Sequence, residues 1–229
     1  MKVQDQSGEG GLLRFAGPLV MVGGGAVSAT LLRRVARPGY GLVGADSGGD
    51  TILAAGLVPD AVIGDLDSVA DAAAFGPKTR VIRLAEQQTT DFEKALYSTD
   101  APLTLALGMT GGRLDHTLAA LHALAHYAPL RRIVLVDGED LAIAVSGDME
   151  LEAPEGTRVS VYPLGRTAFA GSEGLAYPLD GLVMEPGLKI GTSNVATGGR
   201  IAIRLAEGAN APWLLIVPLT LLESVLGQV

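Results

Sequence analysis

The sequence predicts an α/β domain with a mainly parallel sheet, followed by an all-β sandwich domain. In the first half of the chain, short apolar runs alternate with helical stretches, which is typical of parallel strands covered by helices. After about Gly138, short strand-like runs are separated by glycine and proline, and no long helix fits before the tail at residues 219–226. We therefore predict two domains, at residues 1–138 and 139–229.

Composition narrows the class of protein. Hydrophobic residues make up 48% of the 229 residues and charged residues 18%, which favours a folded core over a disordered chain. The net charge of -8 argues against a nucleic-acid binder, although local cations could still hold ATP. The chain contains no cysteine, so disulfides and thiolate-ligated metals are excluded. Neither a signal peptide nor a membrane-length apolar run is visible, so we expect a cytoplasmic protein without a membrane partner.

The elements of the first half follow from its periodicity. Strands are predicted at residues 19–22, 41–45, 61–63, 80–84, 103–107 and 133–136. Helices are predicted at residues 28–36, 48–56, 90–98 and 114–126. Ser28 can cap the first helix, and Thr90 with Glu93 has the spacing of a capping box at the third. On the fourth helix we expect one apolar face, formed by Leu114, Leu118, Leu121 and Ala125.

The second half contains only short runs of strand type. Strands are predicted at residues 141–145, 149–151, 158–163, 200–205 and 213–217. Proline and glycine interrupt them at residues 153–156 and 185–187. Short strands with such punctuation are typical of a sandwich or a barrel.

Two carboxylates lie one residue apart where the third predicted strand ends. Asp65 and Asp67 follow the apolar run 61–63 and a glycine. Ligands of an open α/β sheet bind at the carboxyl ends of its strands. If the chain is still extended there, side chains i and i+2 share a face, and a hard cation such as Mg²⁺ would offset their repulsion. The alternative is a polar turn in which Asp67 or Ser68 caps a helix.

Two further carboxylates follow other strands of the same predicted sheet. Asp46 directly follows the second strand, and Asp91 opens the third helix. Each has a plain structural alternative, because Asp46 could be an N-cap and Asp91 suits the first turn of a helix. Lys94 is the one lysine near these acidic motifs. The number of carboxylates at strand ends, rather than any single one, favours a metal site.

A glycine-rich segment connects the fifth strand to the fourth helix. Gly111 and Gly112 would let backbone N–H groups approach a phosphate, and Arg113 could add a bidentate contact. Asp115 could orient a ribose or a metal-bound water, or accept a proton. The alternative is a tight turn with a solvated arginine. His116 is interpreted as structural rather than catalytic.

Two common nucleotide-binding motifs are absent from the sequence. A G-x-x-x-x-G-K-[ST] motif does not occur, which excludes a Walker-type kinase. The triplet at residues 23–25 lacks the G-x-G-x-x-G spacing, which argues against a dinucleotide site.

Taken together, these motifs resemble the thiamine pyrophosphokinase (thiamin diphosphokinase) family. The matching stretches are ADSGGD at 45–50, PDAVIGDLDS at 59–68, QQTTDFEKAL at 87–96, GMTGGRLDHTLA at 108–119 and TSN at 192–194. Their order and spacing agree over nearly the whole chain. The resemblance implies an α/β catalytic domain followed by a β-sandwich, a homodimer, and pyrophosphate transfer from ATP to thiamine with Mg²⁺.

The resemblance also implies roles for individual residues. Mg²⁺ and the ATP phosphates would be held by Asp65, Asp67 and Asp91, which are also catalytic candidates. Asp115 is added as a catalytic candidate. The residues assigned to ATP are Asp46, Gln87, Gly111, Gly112, Arg113 and Asp115. Ser193 and Asn194 would bind thiamine, at a site that a partner subunit completes.

Three positions depart from the family pattern. Ser47 stands where glycine is usual, Gln88 where an acidic residue is common, and Val195 where an acidic or small polar residue is frequent. The departure at Gln88 bears on how many metal ions the site would hold. None of the three replaces a residue assigned to the metal.

Two other functions fit parts of the pattern. Residues 65–69 also read as D-x-D-x-V, resembling phosphatases of the haloacid-dehalogenase type, in which the first aspartate is a covalent nucleophile. That motif usually lies on the first strand, whereas several α/β units precede it here. The second alternative is a non-catalytic binder of nucleotide or thiamine, for which so many strand-end carboxylates would not be needed.

Overall fold

The structure is a computed structural model that describes residues 4–5 and 12–227. The chain divides into two compact units, one of Met1–Ala123 with Leu135–Gly138 and the other of Leu124–Val134 with Glu139–Val229. The chain passes from one unit to the other three times, once inside a helix, once inside a strand and once between Gly138 and Glu139.

The elements of the first unit alternate in type along the chain. The strands are β1 Gln4–Asp5, β2 Leu13–Arg14, β3 Leu19–Val22, β4 Gly41–Ala45, β5 Ala61–Gly64, β6 Arg80–Arg83, β7 Thr99–Asp100, β8 Thr104–Leu107 and β9 Ile133–Val136. The helices are α1 Ala29–Val35, α2 Gly48–Ala54, α3 Asp91–Tyr97 and α4 Leu114–Tyr127, with a 3₁₀ turn at Ala72–Phe75. β9 and α4 are the two elements at the division.

The main sheet of this unit has the order β1-β6-β5-β4-β3-β8. Every registered pair in that order is parallel. β3, β4, β5 and β8 are continuously apolar or small and fully buried, as expected for parallel strands covered on both faces. A separate parallel pair joins β2 to β7. The predicted α/β organisation of the first half is confirmed.

Local capping explains where two helices begin. The Ser28 hydroxyl accepts a hydrogen bond from the Leu31 amide at 3.1 Å, at the start of α1. At α3, Thr90 accepts from the Glu93 amide while the Glu93 carboxylate accepts from the Thr90 amide, which completes the predicted capping box. These bonds satisfy amides that have no partner inside the helix.

The carboxyl ends of the parallel strands position the polar segments of this unit. Asp46 directly follows β4, Asp65 follows β5, and Gly108 follows β8. The Asp46 amide donates to the Ile63 carbonyl at 2.9 Å, so the segment after β4 stays tied to β5. These segments therefore meet at one edge of the sheet, as the parallel topology requires.

The second unit is antiparallel in its registered strand pairs. Its strands are β10 Asp140–Val145, β11 Met149–Ala153, β12 Arg158–Pro163, β13 Thr167–Glu173, β14 Val183–Met184, β15 Gly191–Val195, β16 Gly199–Leu205 and β17 Trp213–Pro218. A 3₁₀ turn at Leu219–Leu221 leads into α5 Leu222–Leu226. The strands follow two orders, β10-β17-β12-β15 and β11-β16-β13-β14.

Aromatic packing joins these two groups of strands. Phe169 on β13 and Trp213 on β17 are both buried, and their ring centroids lie 5.7 Å apart in an edge-to-face arrangement. The Trp213 indole N–H donates to the Gly147 carbonyl at 3.2 Å, which satisfies its polar atom.

Six strands of the structure were not predicted, namely β1, β2, β7, β13, β14 and β15. The first three have only two residues each, and runs such as TAFAGSE and GTSNV are small and polar and lack a strong period-two pattern. The apolar face predicted for α4 is not its buried face, since Leu114 and Leu118 are 73% and 58% exposed. The buried stripe is formed instead by Ala120, Ala123 and Leu124, whose alanines allow close packing.

Among the described residues, we find no helix with the length and hydropathy needed to span a bilayer.

Candidate active site

A cavity of about 300 Å³ opens at the carboxyl edge of the parallel sheet. Its walls include the glycine-containing segments 23–25 and 108–110, together with Gly112. Asp46, Asp91 and Arg113 also line it, together with His116. The cavity therefore combines acidic side chains, one cation and backbone that a ligand can approach closely.

Three carboxylates converge beside this cavity. One oxygen from each of Asp46, Asp65 and Asp67 lies within 4.8 Å of the others. Asp46 is only 5% exposed, and its Oδ1 atom is buried with no hydrogen-bond partner among residues 12–227. Burial raises the pKa of Asp46, and the neighbouring carboxylates of Asp91, Asp65 and Asp67 add to that shift. A buried carboxylate oxygen without a donor, next to two further carboxylates, fits a hard cation such as Mg²⁺.

Asp65 is held in place by its neighbours. Gln87 Nε2 donates to Asp65 Oδ2 at 2.9 Å, and the Asp67 amide donates to Asp65 Oδ1 at 3.2 Å. The hydrogen bond from Gln87 is the main reason why the pKa of Asp65 lies below its usual value, against a smaller opposing effect of burial. Ser68 Oγ in turn donates to Asp67 Oδ1 at 2.9 Å. Gln87, which the resemblance assigns to ATP, here fixes a carboxylate of the cluster.

A buried lysine lies against the cluster. Lys94 is 2% exposed, and its Nζ atom lies 3.1 Å from Asp91 Oδ1 and 3.7 Å from Asp65 Oδ2. Asp91 is therefore paired with Lys94 and lies outside the group of three carboxylates, whereas Asp46, assigned to ATP, lies inside it. The i, i+3 spacing of Asp91 and Lys94 on α3 was the only sequence signal for this pair.

Backbone conformation explains how the carboxylates meet. β5 ends at Gly64, and Leu66 adopts a left-handed conformation with φ 65°. Asp65 and Asp67 thus converge through a turn and not on one face of an extended strand, which differs from the sequence expectation. Asp46 is also left-handed, with φ 48°. Such conformations are strained for residues other than glycine and gather at functional sites.

Glycines allow two wall segments of the cavity to touch. The Gly25 amide donates to the Gly108 carbonyl at 2.8 Å, and a Cβ at Gly25 would lie 2.7 Å from the carbonyl oxygens of Gly108 and Thr110. Thr110 Oγ1 donates to Asp137 Oδ2 at 2.7 Å, just after β9. Segment 23–25, which sequence reasoning used only to exclude a dinucleotide site, therefore forms a wall of this one.

A comparable close approach fixes α2. A Cβ at Gly48 would lie 1.8 Å from the Val22 carbonyl oxygen, so the helix packs directly on the end of β3. Ser47 precedes this helix but makes no side-chain capping bond, and Asp46 is not its N-cap.

Arg113 and Asp115 lie at the exposed side of the site and bond to each other. Arg113 Nε is 3.1 Å from Asp115 Oδ1, and Arg113 Nη2 is 2.6 Å from Asp115 Oδ2. Their side chains are 71% and 64% exposed. Hydrogen bonding from Arg113 lowers the pKa of Asp115. Gly111, with φ 76°, and Gly112 belong to the same exposed segment, where their N–H groups are accessible to an anion.

Ser193 and Asn194 lie on β15 of the second unit. Ser193 is exposed and left-handed, with φ 60°, and its amide donates to Ser160 Oγ at 3.0 Å. Asn194 is 6% exposed. Its Oδ1 atom accepts from the amides of Tyr177 and Val195 at 3.0 and 2.8 Å, and its Nδ2 atom donates to the Tyr177 carbonyl at 2.6 Å.

Comparison with known proteins gives consistent similarities. Residues 40–135 match the family model described as thiamin pyrophosphokinase, catalytic domain. Thiamin pyrophosphokinase 1 of Caenorhabditis elegans is 27% identical over 161 residues, which cover 64% of this chain and 66% of that protein. Thiamine pyrophosphokinase of Bacillus subtilis (strain 168) is 27% identical over 178 residues, covering 72% and 83%. The chain thus spans just under two thirds of the C. elegans relative.

A solved structure extends the similarity to the fold. The crystal structure of thiamin pyrophosphokinase from Geobacillus thermodenitrificans superimposes with a TM-score of 0.74 at 25% identity. The superposition covers 88% of this chain and 97% of that one. The residues matched by the family model include both the acidic cluster and the Arg113–Asp115 pair, but not Ser193 and Asn194.

Proposed function

We propose that the chain is a member of the thiamin pyrophosphokinase family and that it transfers pyrophosphate from ATP to the hydroxyl of thiamine, giving thiamine diphosphate and AMP. The observation that carries the proposal is the convergence of Asp46, Asp65 and Asp67 beside a cavity that glycine-rich backbone lines. Transfer of a phosphoryl-type group needs positioning and charge stabilisation more than covalent protein chemistry.

Magnesium fits the acidic end of the cavity. Asp46, Asp65 and Asp67 would hold it, with Asp91 beside them, because the unpartnered Asp46 oxygen and the hard-oxygen donor set suit this ion. The bound ion would offset phosphate charge. Lys94 already neutralises part of the negative charge of Asp65 and Asp91, so it keeps these carboxylates close together before a ligand arrives.

The cationic end of the cavity would receive the phosphates. Arg113 would exchange its bond to Asp115 for phosphate oxygens, while the amides of Gly111 and Gly112 approach the same anion. The thiamine hydroxyl oxygen then bonds to the β-phosphorus, and the bond from that phosphorus to the oxygen bridging to the α-phosphorus breaks. AMP leaves with that oxygen. Asp115, released from Arg113, would accept the hydroxyl proton.

The two parts of the chain would divide the substrates. We assign ATP and Mg²⁺ to residues 1–138 and thiamine to residues 139–229, with Ser193 and Asn194 as the thiamine-side motif. The antiparallel strands around Phe169 and Trp213 support a β-sandwich for the second part. A cytoplasmic location belongs to the same proposal.

The reaction itself is the first test. AMP should form only when ATP, Mg²⁺ and thiamine are all present, with thiamine diphosphate in equal amount, measured by chromatography of the nucleotides and of thiamine. ADP as product would indicate an ordinary kinase. Phosphate release from simple phosphoesters without thiamine would indicate the phosphatase suggested by residues 65–69.

A homodimer with shared sites is the assembly we propose. The inactive variant Asp67→Asn would be mixed with an inactive variant altered at both Ser193 and Asn194. If each site takes its acidic cluster from one subunit and Ser193 with Asn194 from the other, each heterodimer regains one intact site and activity returns. Absence of recovery after verified subunit exchange would place each site within a single chain.

A further inference from the structure

The hydrogen-bonding capacity of Asn194 is almost entirely used inside the protein. Its carboxamide bonds to both the amide and the carbonyl of Tyr177, as a paired β-strand residue would, and also accepts from the Val195 amide. A carboxamide offers two N–H donors and one acceptor oxygen, so a single N–H remains. Because the residue is also 6% exposed, little of it is available to a substrate.

The residue that Asn194 holds is unusually exposed for its type. Tyr177 has 68% of its surface accessible, although both of its backbone polar groups are tied to Asn194. An aromatic side chain with a fixed backbone loses little conformational freedom on binding a ligand. It offers a π face whose negative quadrupole attracts cations.

Ser193 precedes Asn194 on β15, and its backbone is also held by a side-chain hydrogen bond. The register between β12 and β15 shifts from Val159–Asn194 to Val161–Gly191, so β15 carries an extra residue there. Ser193 takes the left-handed conformation in this bulge, and Ser160 Oγ accepts its amide hydrogen. β-Bulges redirect side chains and are frequent beside functional sites. The bulge and Asn194 therefore fix two exposed groups, the hydroxyl of Ser193 and the ring of Tyr177.

We propose that Tyr177 is a substrate-binding residue for the cationic thiazolium ring of thiamine, and that Asn194 is a positioning residue that acts through Tyr177. The inference rests on the proposed function, because it takes thiamine as the ligand. Ser193 and Asn194 therefore have different roles. Ser193 is exposed and can contact thiamine directly, whereas Asn194 fixes the backbone of Tyr177, whose ring contacts thiamine.

Equilibrium binding of thiamine tests the role of Tyr177. Tyr177→Leu should weaken thiamine binding about tenfold in calorimetry, and Tyr177→Phe, which keeps the ring, by less than about threefold. The KM for ATP should not change in either variant. Leu130→Ala is the matched control, because Leu130 is a 72% exposed apolar residue of the same unit. Unchanged thiamine affinity in Tyr177→Leu would overturn the proposal.

A double-mutant cycle tests the role of Asn194. Asn194→Ala alone should weaken thiamine binding by a factor similar to that of Tyr177→Leu. Added to Tyr177→Leu, it should cost less than about a further twofold, because a residue that acts only through the ring has nothing left to position. If the double variant instead binds thiamine about a hundredfold more weakly than the wild type, the two losses are independent. Asn194 would then contact thiamine itself, which would overturn its positioning role.

Hydrogen exchange separates this inference from the proposed function. The Tyr177 amide should lose protection in Asn194→Ala and keep it in Tyr177→Leu, whether or not thiamine is the substrate. Should Asn194→Ala fail to fold, Asn194→Asp keeps the acceptor for the Tyr177 amide but replaces the donor to the Tyr177 carbonyl by an acceptor oxygen that carries negative charge. If the wild type binds no thiamine while the two variants show this exchange pattern, thiamine is disproved as the ligand and the positioning contact stands.

Discussion

The two ends of the cavity in the first unit differ in how their charged groups are partnered. At one end, Asp46 is buried with an oxygen that lacks a hydrogen-bond partner among the described residues, and Lys94 is buried against Asp65 and Asp91. At the other end, Arg113 and Asp115 are exposed and bonded to each other. One end of the cavity thus has a buried carboxylate oxygen without a hydrogen-bond donor, and the other end has an exposed ion pair whose two partners bond to each other.

The difference indicates how ligand binding would be divided between the ends. Leaving a buried acceptor without a partner costs about 1–3 kcal/mol, so the acidic end carries a destabilisation that a bound cation would remove. An exposed ion pair contributes little to stability, so Arg113 can change partners readily. We therefore expect the acidic end to be preformed and the cationic end to rearrange when phosphate arrives.

The largest effect should come from the acidic end. Asp65→Asn and Asp67→Asn should each lower turnover by roughly 10²–10³-fold, because each removes charge that positions the cation and the phosphates. Both metal-free variants should fold. Asp67→Asn should be as stable as the wild type or slightly more so, since one repelling charge is lost, whereas Asp65→Asn should be somewhat less stable at neutral pH, because the lowered pKa of Asp65 means that its charge is stabilised in the folded state. Steady-state kinetics and denaturant unfolding measure the two quantities.

Asp100→Asn, an exposed change on β7 away from the cavity, is the control and should leave both quantities unchanged. Metal-free variants of Asp65 or Asp67 that cannot fold would show that the pair is structural. A covalent acyl-phosphate trapped on Asp65 would instead favour the phosphatase chemistry.

The cationic end should give a smaller and more selective effect. Arg113→Ala should lower kcat/KM for ATP about 10–100-fold, because a charge-assisted contact to phosphate is lost, with no measurable change in unfolding. Arg113→Lys should recover only part of this, since an ammonium group cannot bind bidentately. Asp115→Asn releases Arg113, so ATP binding should not weaken even if turnover falls. Weaker ATP binding in Asp115→Asn would contradict the partner exchange.

The smallest effect concerns the unpartnered carboxylate itself. Asp46→Asn should stabilise the metal-free protein by about 1 kcal/mol at neutral pH, because it removes a buried charge and asparagine tolerates a left-handed backbone. Addition of Mg²⁺ should then stabilise the wild type more than the variant. Chemical denaturation with and without a chelator measures both differences.

The pH dependence of that difference follows from the raised pKa of Asp46. Above the folded-state pKa, the carboxylate is charged in both states and the penalty of burying it is fully present. As pH falls through that pKa toward the unfolded value of 3.8, the folded state takes up the proton first and the penalty disappears. The advantage of Asp46→Asn should therefore shrink on acidification. A constant advantage at all pH values would mean that charge is not its origin.

Much of this arrangement could be predicted from the sequence, because its signals are local. The apolar strands and the capping box at Thr90 follow from periodicity and spacing. That carboxylates meet at one edge follows from parallel topology alone. Which carboxylates share a group does not, because it depends on the left-handed turn at Leu66 and on the burial of Lys94.

The second unit was harder to predict because its informative contacts are long-range. Asn194 and Tyr177 are 17 residues apart, and the bulge at Ser193 exists only relative to β12.

The exposed face of α4 could not be predicted from the sequence either, because it too depends on tertiary contacts. Leu114 and Leu118 have helical spacing, yet alanines form the buried stripe, since periodicity marks a face without saying which face is covered.

The contact between Gly48 and Val22 has a consequence for how sequences of this protein can vary. A random-substitution library should return no functional variant at position 48, because a Cβ there would lie 1.8 Å from the backbone oxygen of Val22. Relieving that clash would require β3 and α2 to move apart. Gly56 has φ 75° and open space around its Cβ, so asparagine should be tolerated there. The two positions would thus be restricted to different degrees and for different reasons, position 48 by lack of volume and position 56 by its backbone angle.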